Sequence, residues 1–282
     1  MSGGQPASAA RHSLPARVWR AVVDSDNFYR LLTLLIIGVA WQLLAINAGG
    51  LLIPSFTDTV IALVELLFDP VLWEALLISN QAMIIGFAIS VVIGIPLGLA
   101  MGRFRAAEQF SDVYLNILLV TPISTLIPLL VMSVGIGLAA RIILVVFFTF
   151  IMIIVNSRAG VRQVDPSLIE MGRSFGASER QLWQRIILPG AMPAVMAGIR
   201  IGLSRAVQGM VIVELLMVSV GIGGLILRYR GFFQADKLYA VIVVIVIEAL
   251  ILISLARWVE RRVVPWAPST SKRASGNRGA TR

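Results

Sequence analysis

Arg205, Glu214 and Glu248 stand inside apolar runs of the chain, and any chemistry has to be argued from them first. A charge at the level of a bilayer core is costly, so such residues pair with one another, line a wet path or carry ions. On a helix, Ser204, Arg205 and Gln208 share one polar sector. Glu214 follows Arg205 by two and a half helical turns and faces nearly the opposite side, so the two are not expected to pair within one helix. One reading turns Arg205 and Gln208, with Glu214 further along, toward a water-filled path, where a cation would favour an anionic solute. The other is structural, with Arg205 or Arg200 bound to a carboxylate on a neighbouring helix. The residues leave both open. A second polar group, Thr121, Ser124 and Thr125 with Asn116, lies around Pro122 and Pro128. Prolines free carbonyls that need partners or a wet cavity. The hydroxyls either line a pore or satisfy those carbonyls locally.

Enzymatic chemistry has little to draw on. The chain has no cysteine and one histidine, His12, outside every apolar run. Zinc sites and a Ser/His/Asp triad therefore lack their parts. No G-x-x-x-x-G-K-[ST] occurs, so no P-loop is expected to hold ATP in this chain. The chain reads as non-catalytic, with no cofactor or metal of its own. The scattered methionines read as packing rather than metal ligands.

The elements that must position these charges are membrane helices. The 282 residues are 58% hydrophobic and 14% charged, against about half and a quarter for a soluble domain. The mean hydropathy is +0.89. We read an all-α integral membrane fold with six spans, at 29–47, 77–101, 113–134, 142–156, 194–218 and 238–258, each near the ~20 residues a bilayer requires. Residues 29–265 form the membrane domain. A basic arm (1–28) precedes it and a polar basic tail (266–282), read as disordered, follows. The arm lacks an apolar core, so no cleaved leader is expected. In the second span a small residue recurs every fourth position (Gly86, Ser90, Gly94, Gly98, Gly102), which suits close helix contact within the chain or between copies. Pro96 should kink that span.

The net charge of +9 is concentrated in particular connections. Arginine and lysine cluster in the arm, after span two (Arg103, Arg105), after span four (Arg158, Arg162, Arg173, Arg180, Arg185) and in the tail. Six spans put these segments on one side, the cytoplasm, with both termini there. The loop after span one carries Asp58, Glu65, Asp69 and Glu74 and no base, and is assigned outside; Arg228, Arg230 and Lys237 after span five depart from the pattern. Membrane-facing bases, not nucleic-acid binding, explain the charge. Phe56 onward should form an amphipathic helix capped by Thr57 or Asp58.

Between spans four and five lies SLIEMGRSFGASERQLWQRIILPG, too polar to insert. Ser167-x-x-Glu170 and Ser178-x-x-Gln181 are capping-box patterns. They predict a helix over 168–175, a left-handed turn at Gly176 and a second helix stopped before Pro189. The spacing of Glu170, Gly176, Ile186, Leu188 and Pro189 resembles the EAA loop of ABC importer permeases, E-A-A-x3-G-x9-I-x-L-P. Met171 and Gly172 stand where that pattern has alanines. WQLLAINAGGLLIPSFTDTVIAL, TPISTLIPLLVMSVGIG and GASERQLWQRIILPGAMPAVMAGIRIGL are similar to the nitrate/sulfonate/taurine branch of these permeases, over roughly residues 30–260.

The resemblance implies a multi-pass subunit of the bacterial plasma (inner) membrane that works with a second permease copy, usually as a homodimer. Two cytoplasmic ATPase subunits would bind ATP and Mg, and a periplasmic or lipid-anchored solute-binding protein would deliver a small anion such as a sulfonate, taurine, nitrate or carboxylate. The loop 163–190 would be the coupling element that docks on the ATPase and passes its motion into spans four and five. The rival from another class is an ion-coupled secondary transporter using Arg205, Glu214 and Glu248 as a relay.

Overall fold

A computed structural model of the chain describes residues 26–47, 53–217 and 220–266. The basic arm, apart from its last residues, and almost all of the tail lie outside them. The described residues are helical throughout, with no strand: α1 (Asp26–Asn47), α2 (Phe56–Leu67), α3 (Pro70–Arg103), α4 (Arg105–Val120), α5 (Ile127–Val134), α6 (Leu138–Arg162), α7 (Pro166–Ser174), α8 (Glu179–Leu182), α9 (Leu188–Met217), α10 (Gly221–Gly231) and α11 (Ala235–Val263). Four helical runs are long and apolar enough to cross a membrane: α3, α6, Glu179–Met217 and α11. A fifth is possible if α4 and Ile123–Val134, bent by 90° at Thr121-Pro122, count as one span. The apolar part of α1, Leu32–Asn47, is shorter.

The centre of the fold is α6, packed along α3 on one side and α9 on the other. The small-residue ladder of α3 serves this contact inside the chain. A Cβ at Gly98 would lie 2.6 Å from the Ile154 carbonyl oxygen and 2.7 Å from Ser157 Cβ. On the opposite side a Cβ at Gly202 of α9 would lie 2.9 Å from Ile153 Cγ1. Two side-chain-free surfaces thus let three helices approach closely, where dispersion replaces a hydrophobic drive that lipid cannot supply. A larger apolar core joins the outer parts of α2, α3, α9, α10 and α11 through Leu66, Leu72, Met210, Ile222 and Val241.

Several boundaries differ from expectation. The cap of α2 is Ser55, not Thr57 or Asp58: its Oγ accepts from the Asp58 N–H at 3.0 Å from an extended backbone. An eleven-residue helix, α10, fills the connection after span five, which carried no prediction. The third apolar run is not one rod. Thr121 is extended ahead of Pro122, a 3-10 turn follows at Ile123–Leu126, and the chain resumes as α5. The proline ring disfavours helical backbone at the residue before it, which is why the break falls there. Helix α3, by contrast, runs through Pro96 as a single element.

Candidate functional site

The polar insert folds as two helices packed on each other. Asp165, not Ser167, caps α7: its Oδ1 accepts from the Ser167 N–H at 2.9 Å, and Pro166 takes the first helical position, where a missing N–H costs nothing. These hydrogen bonds from Ser167 hold the Asp165 carboxyl below the usual carboxylate range. The helix ends in a Schellman turn. Ala177 N–H reaches the Gly172 carbonyl (3.0 Å), Gly176 N–H reaches that of Arg173 (2.9 Å), and Gly176 sits at φ +75°. Ser178 and Gln181 then form the full capping box.

Gly172 is the contact point of the pair. A Cβ there would lie 2.7 Å from Leu182 Cδ2 and 2.9 Å from Ile186 Cδ1. Leu182 is fully buried beneath it, and Ile187 is fully buried against Val161 of α6 and Ala191 of α9. Glu170 is exposed on the outer face, and the apolar residues beside it are exposed too: Leu168 44%, Met171 51% and Phe175 85%. Their i, i+3, i+7 spacing puts the three on one stripe of α7. At Glu179 three elements meet. Its carboxylate accepts from Arg173 of α7 at 2.9 Å and from Arg103, the last residue of α3, at 3.1 Å. Nearby, Arg158 of α6 binds Glu108 and Asp112 of α4, and Arg162 also pairs with Glu108.

The second helix does not stop at Pro189. A π-helical turn, Trp183–Ile187, carries α8 directly into α9, with Leu188 N–H bonded to the Trp183 carbonyl. The wider turn accommodates the ring and missing N–H of Pro189, which would otherwise clash one turn back. Ile186 is half-buried in that turn, and Leu188 and Pro189 open α9.

The charges inside the apolar helices fall into distinct settings. Glu214 of α9 is 1% exposed and is not free to face an open path. Ser79 Oγ donates to its Oε2 at 2.8 Å, Gly223 N–H donates at 3.0 Å, and Arg141 Nη1 lies 3.4 Å from Oε1. Arg141 also donates to the Ile78 carbonyl, and Ile222 N–H donates to Ser79 Oγ. This knot fastens α3, α6, α9 and the start of α10 together. Neither Arg141 nor Ser79 stood out in the sequence. Arg200 pairs with Glu260 of α11, which is the structural alternative realised for that arginine. Arg205 is exposed on α9 and bonds Gln208 at 3.2 Å, so the two stand together on an open face, away from Glu214. Thr121 and Thr125 bond the carbonyls of Ile117 (2.8 Å) and Pro122 (2.7 Å), and Ser124 is exposed beside them. Asn80 holds Glu248, and among the described residues no hydrogen bond links Glu248 to Glu214 or Arg205, as a relay would need.

Residues 90–265 match the family described as the binding-protein-dependent transport system inner membrane component. A permease protein named for aliphatic sulfonates transport, SsuC of Escherichia coli (strain K12), is 34% identical over 232 residues, covering 81% of this chain and 88% of that protein. The taurine transport system permease protein TauC of the same organism is 32% identical over 198 residues, covering 70% and 72%. Among solved structures, the inward-facing MetNI methionine ABC transporter superposes with a TM-score of 0.53 at 23% identity, covering 69% of this chain and 93% of that one. An amino acid ABC transporter crystallised with histidines gives 0.55 at 18%, covering 68% and 94%. At these identities the structures speak for the fold, while the family match and the two relatives carry the assignment: this chain belongs to the family of inner-membrane permease components of binding-protein-dependent ABC transport systems.

Proposed function

We propose that this permease has six spans and works as one of a pair, energised by two cytoplasmic ATPase subunits that supply the ATP and Mg chemistry, while the chain itself catalyses nothing. The observation that carries the reading is the α7–α8 pair. It is a polar, doubly capped insert that presents Glu170 and the stripe Leu168, Met171 and Phe175 outward. An exposed apolar stripe within a segment too polar to enter lipid fits a groove on another protein. Glu170 and Met171 would lie against the ATPase. Gly172 and Gly176 set the shape of the pair, and Ile186, Leu188 and Pro189 carry its motion into α9.

The path itself is assigned to the open face bearing Arg205 and Gln208, with Thr121, Ser124 and Thr125 at the proline break. A guanidinium there suits a small anion. Since the relatives SsuC and TauC are named for sulfonates and taurine, a sulfonate-like solute, delivered by an external binding protein, fits this chain best. The family supports placement in a bacterial inner membrane, and the arginine pattern favours both termini in the cytoplasm.

The test is an affinity pull-down of tagged full-length chain from native membranes in mild detergent. Wild type should recover a P-loop ATPase. A Glu170→Arg, Gly176→Trp double variant that still inserts should lose it. Equal recovery of the ATPase by both, or by neither, overturns the docking role of the helix pair.

A further inference from the structure

Glu248 sits near the middle of α11, in the wall of a cavity of about 520 Å³ between α2, α3 and α11. Its Oε1 accepts from Asn80 Nδ2 at 2.6 Å. Its Oε2 is buried and has no partner among the described residues. Glu214 has three partners, so the two acidic groups of the apolar helices are not alike. Among the described residues, no basic side chain lines the cavity. Apart from Asn80 and Glu248 the wall is apolar, with Leu67, Leu76, Val244 and Leu252 facing in. Trp73 also lines it, but its indole N–H is already spent on the Leu67 carbonyl at 2.9 Å. Among the described residues, Oε2 therefore has no donor.

The mouth has equally definite properties. Leu77 (73% exposed) and Ile251 (61%) stand at its edges, on two helices long and apolar enough to cross a membrane. Exposed apolar side chains at the mouth of a cavity between membrane-length helices suit an occupant that partitions into the bilayer. Its volume lies within the roughly 300–1,000 Å³ of small-molecule sites. Apolar walls with one aimed polar group are also how such sites fix a ligand's orientation.

We propose that this cavity binds a membrane-dissolved amphiphile bearing a primary ammonium group. The ammonium donates to Glu248 Oε2, Asn80 holds the opposite oxygen, and the alkyl chain lies between α2, α3 and α11. An ammonium brings up to three donors and the complementary charge, which a hydroxyl cannot. A buried carboxylate that stays ionised is stabilised by such a partner. The site is independent of the ATPase-docking helices, so its test does not depend on them.

The probe is a photoactivatable long-chain primary amine, with the matching alcohol as control. Both are added to full-length chain in phosphatidylcholine nanodiscs, and labelled peptides are mapped by mass spectrometry. Labelling on Trp73–Leu77 and Ile247–Leu252 should be saturable, and stronger for the amine than for the alcohol by about tenfold, as expected when a charge-assisted hydrogen bond replaces a neutral one. Glu248→Gln should erase the amine's advantage while leaving alcohol labelling in place. Leu76→Trp, which fills the cavity without touching the carboxylate, should reduce both. Should Glu248→Gln fail to fold, competition by unlabelled amine against unlabelled alcohol in wild type decides the same question. Equal labelling by amine and alcohol, or undiminished amine preference in Glu248→Gln, overturns the proposal. So does efficient thiol cross-linking of two Leu77→Cys chains with no cavity labelling, which would make the occupant a second copy.

Discussion

Glu214→Ala would remove the acceptor on which α3, α6, α9 and α10 converge. Arg141, with its side chain 11% exposed, would keep only the Ile78 carbonyl, and the Gly223 N–H would lose its acceptor inside the protein. Removing one partner of a buried ion pair costs about 3–5 kcal/mol, because the remaining charge stays buried. Glu214→Gln keeps the shape and one acceptor oxygen but gives up the charge, so a smaller loss of about 1–3 kcal/mol is expected. The pairwise part can be isolated. Arg141→Met leaves Glu214 its bonds from Ser79 and Gly223, and the double variant Glu214→Leu, Arg141→Met removes both charges and fills the space with apolar atoms. The double variant should be less destabilised than the sum of its singles, with a coupling of about 0.5–3 kcal/mol. The assay is reversible unfolding of purified protein in mixed micelles by denaturing-detergent titration, followed by tryptophan fluorescence. Additive singles, or a Glu214→Ala loss below about 1 kcal/mol, would refute the argument that this carboxylate is a structural hub. Abolished uptake in a Glu214→Gln variant with unchanged stability and assembly would instead return Glu214 to the transport path.

Three further outcomes are expected. Gly98→Val drives a branched side chain against the Ile154 carbonyl and Ser157 of α6, and should cost about 1–3 kcal/mol in the same titration, with Gly98→Ala intermediate; a neutral Gly98→Val would mean α3 and α6 are not closely packed there. Arg205→Ala, on an open face with only Gln208 as partner, should sharply lower solute uptake by the reconstituted transporter while ATPase binding persists; uptake at the wild-type rate removes it from the path. The Asp165 carboxyl is held below its ordinary range by the hydrogen bonds from Ser167, so its contribution to the start of α7 is complete above the unfolded carboxylate range and fades as pH falls through the lowered folded value. Hydrogen exchange at the Ser167 amide, corrected for intrinsic rate, should lose protection in that acid window in wild type and lack it throughout in Asp165→Ala.

Continuous apolarity made α3, α6, α9 and α11 legible from the sequence, because a bilayer-length window of Val, Ile, Leu and Gly has few other uses. The helix pair of the insert was legible for a different reason: caps and a glycine turn are local chemistry, and Ser178, Gln181 and Gly176 need no distant partner. Where two local acceptors compete, as Asp165 and Ser167 do before α7 or Ser55 and Thr57 before α2, one residue of backbone conformation decides, and the sequence does not carry it. Pro189 misled because a proline normally ends a helix, whereas here a π turn just before it carries α8 into α9. The knot around Glu214 was hidden by distance. Ser79 lies 135 residues away, and Arg141 stands at the edge of its apolar run, where a base looks like an ordinary flank. Helix α10 was missed because GIGGLILRYRG is short, glycine-rich and without a clear period.

The π turn has a mechanical meaning. Since no loop parts α8 from α9, the 39 residues from Glu179 to Met217 form one continuous helical run. At the usual helical rise such a run is about 58 Å long, and a tilt of about 5° around its midpoint shifts each end by roughly 2.5 Å. One end is held by Arg103 and Arg173 through Glu179, and the other carries Glu214 in its knot with α3, α6 and α10. On the proposed docking role of the insert, a displacement at the polar end that the run carries as a unit would reach the knot as leverage rather than by relay from residue to residue. Arg205 and Gln208 lie on the same run, between about two-thirds and three-quarters of the way along it, so a tilt of the whole run would reorient both.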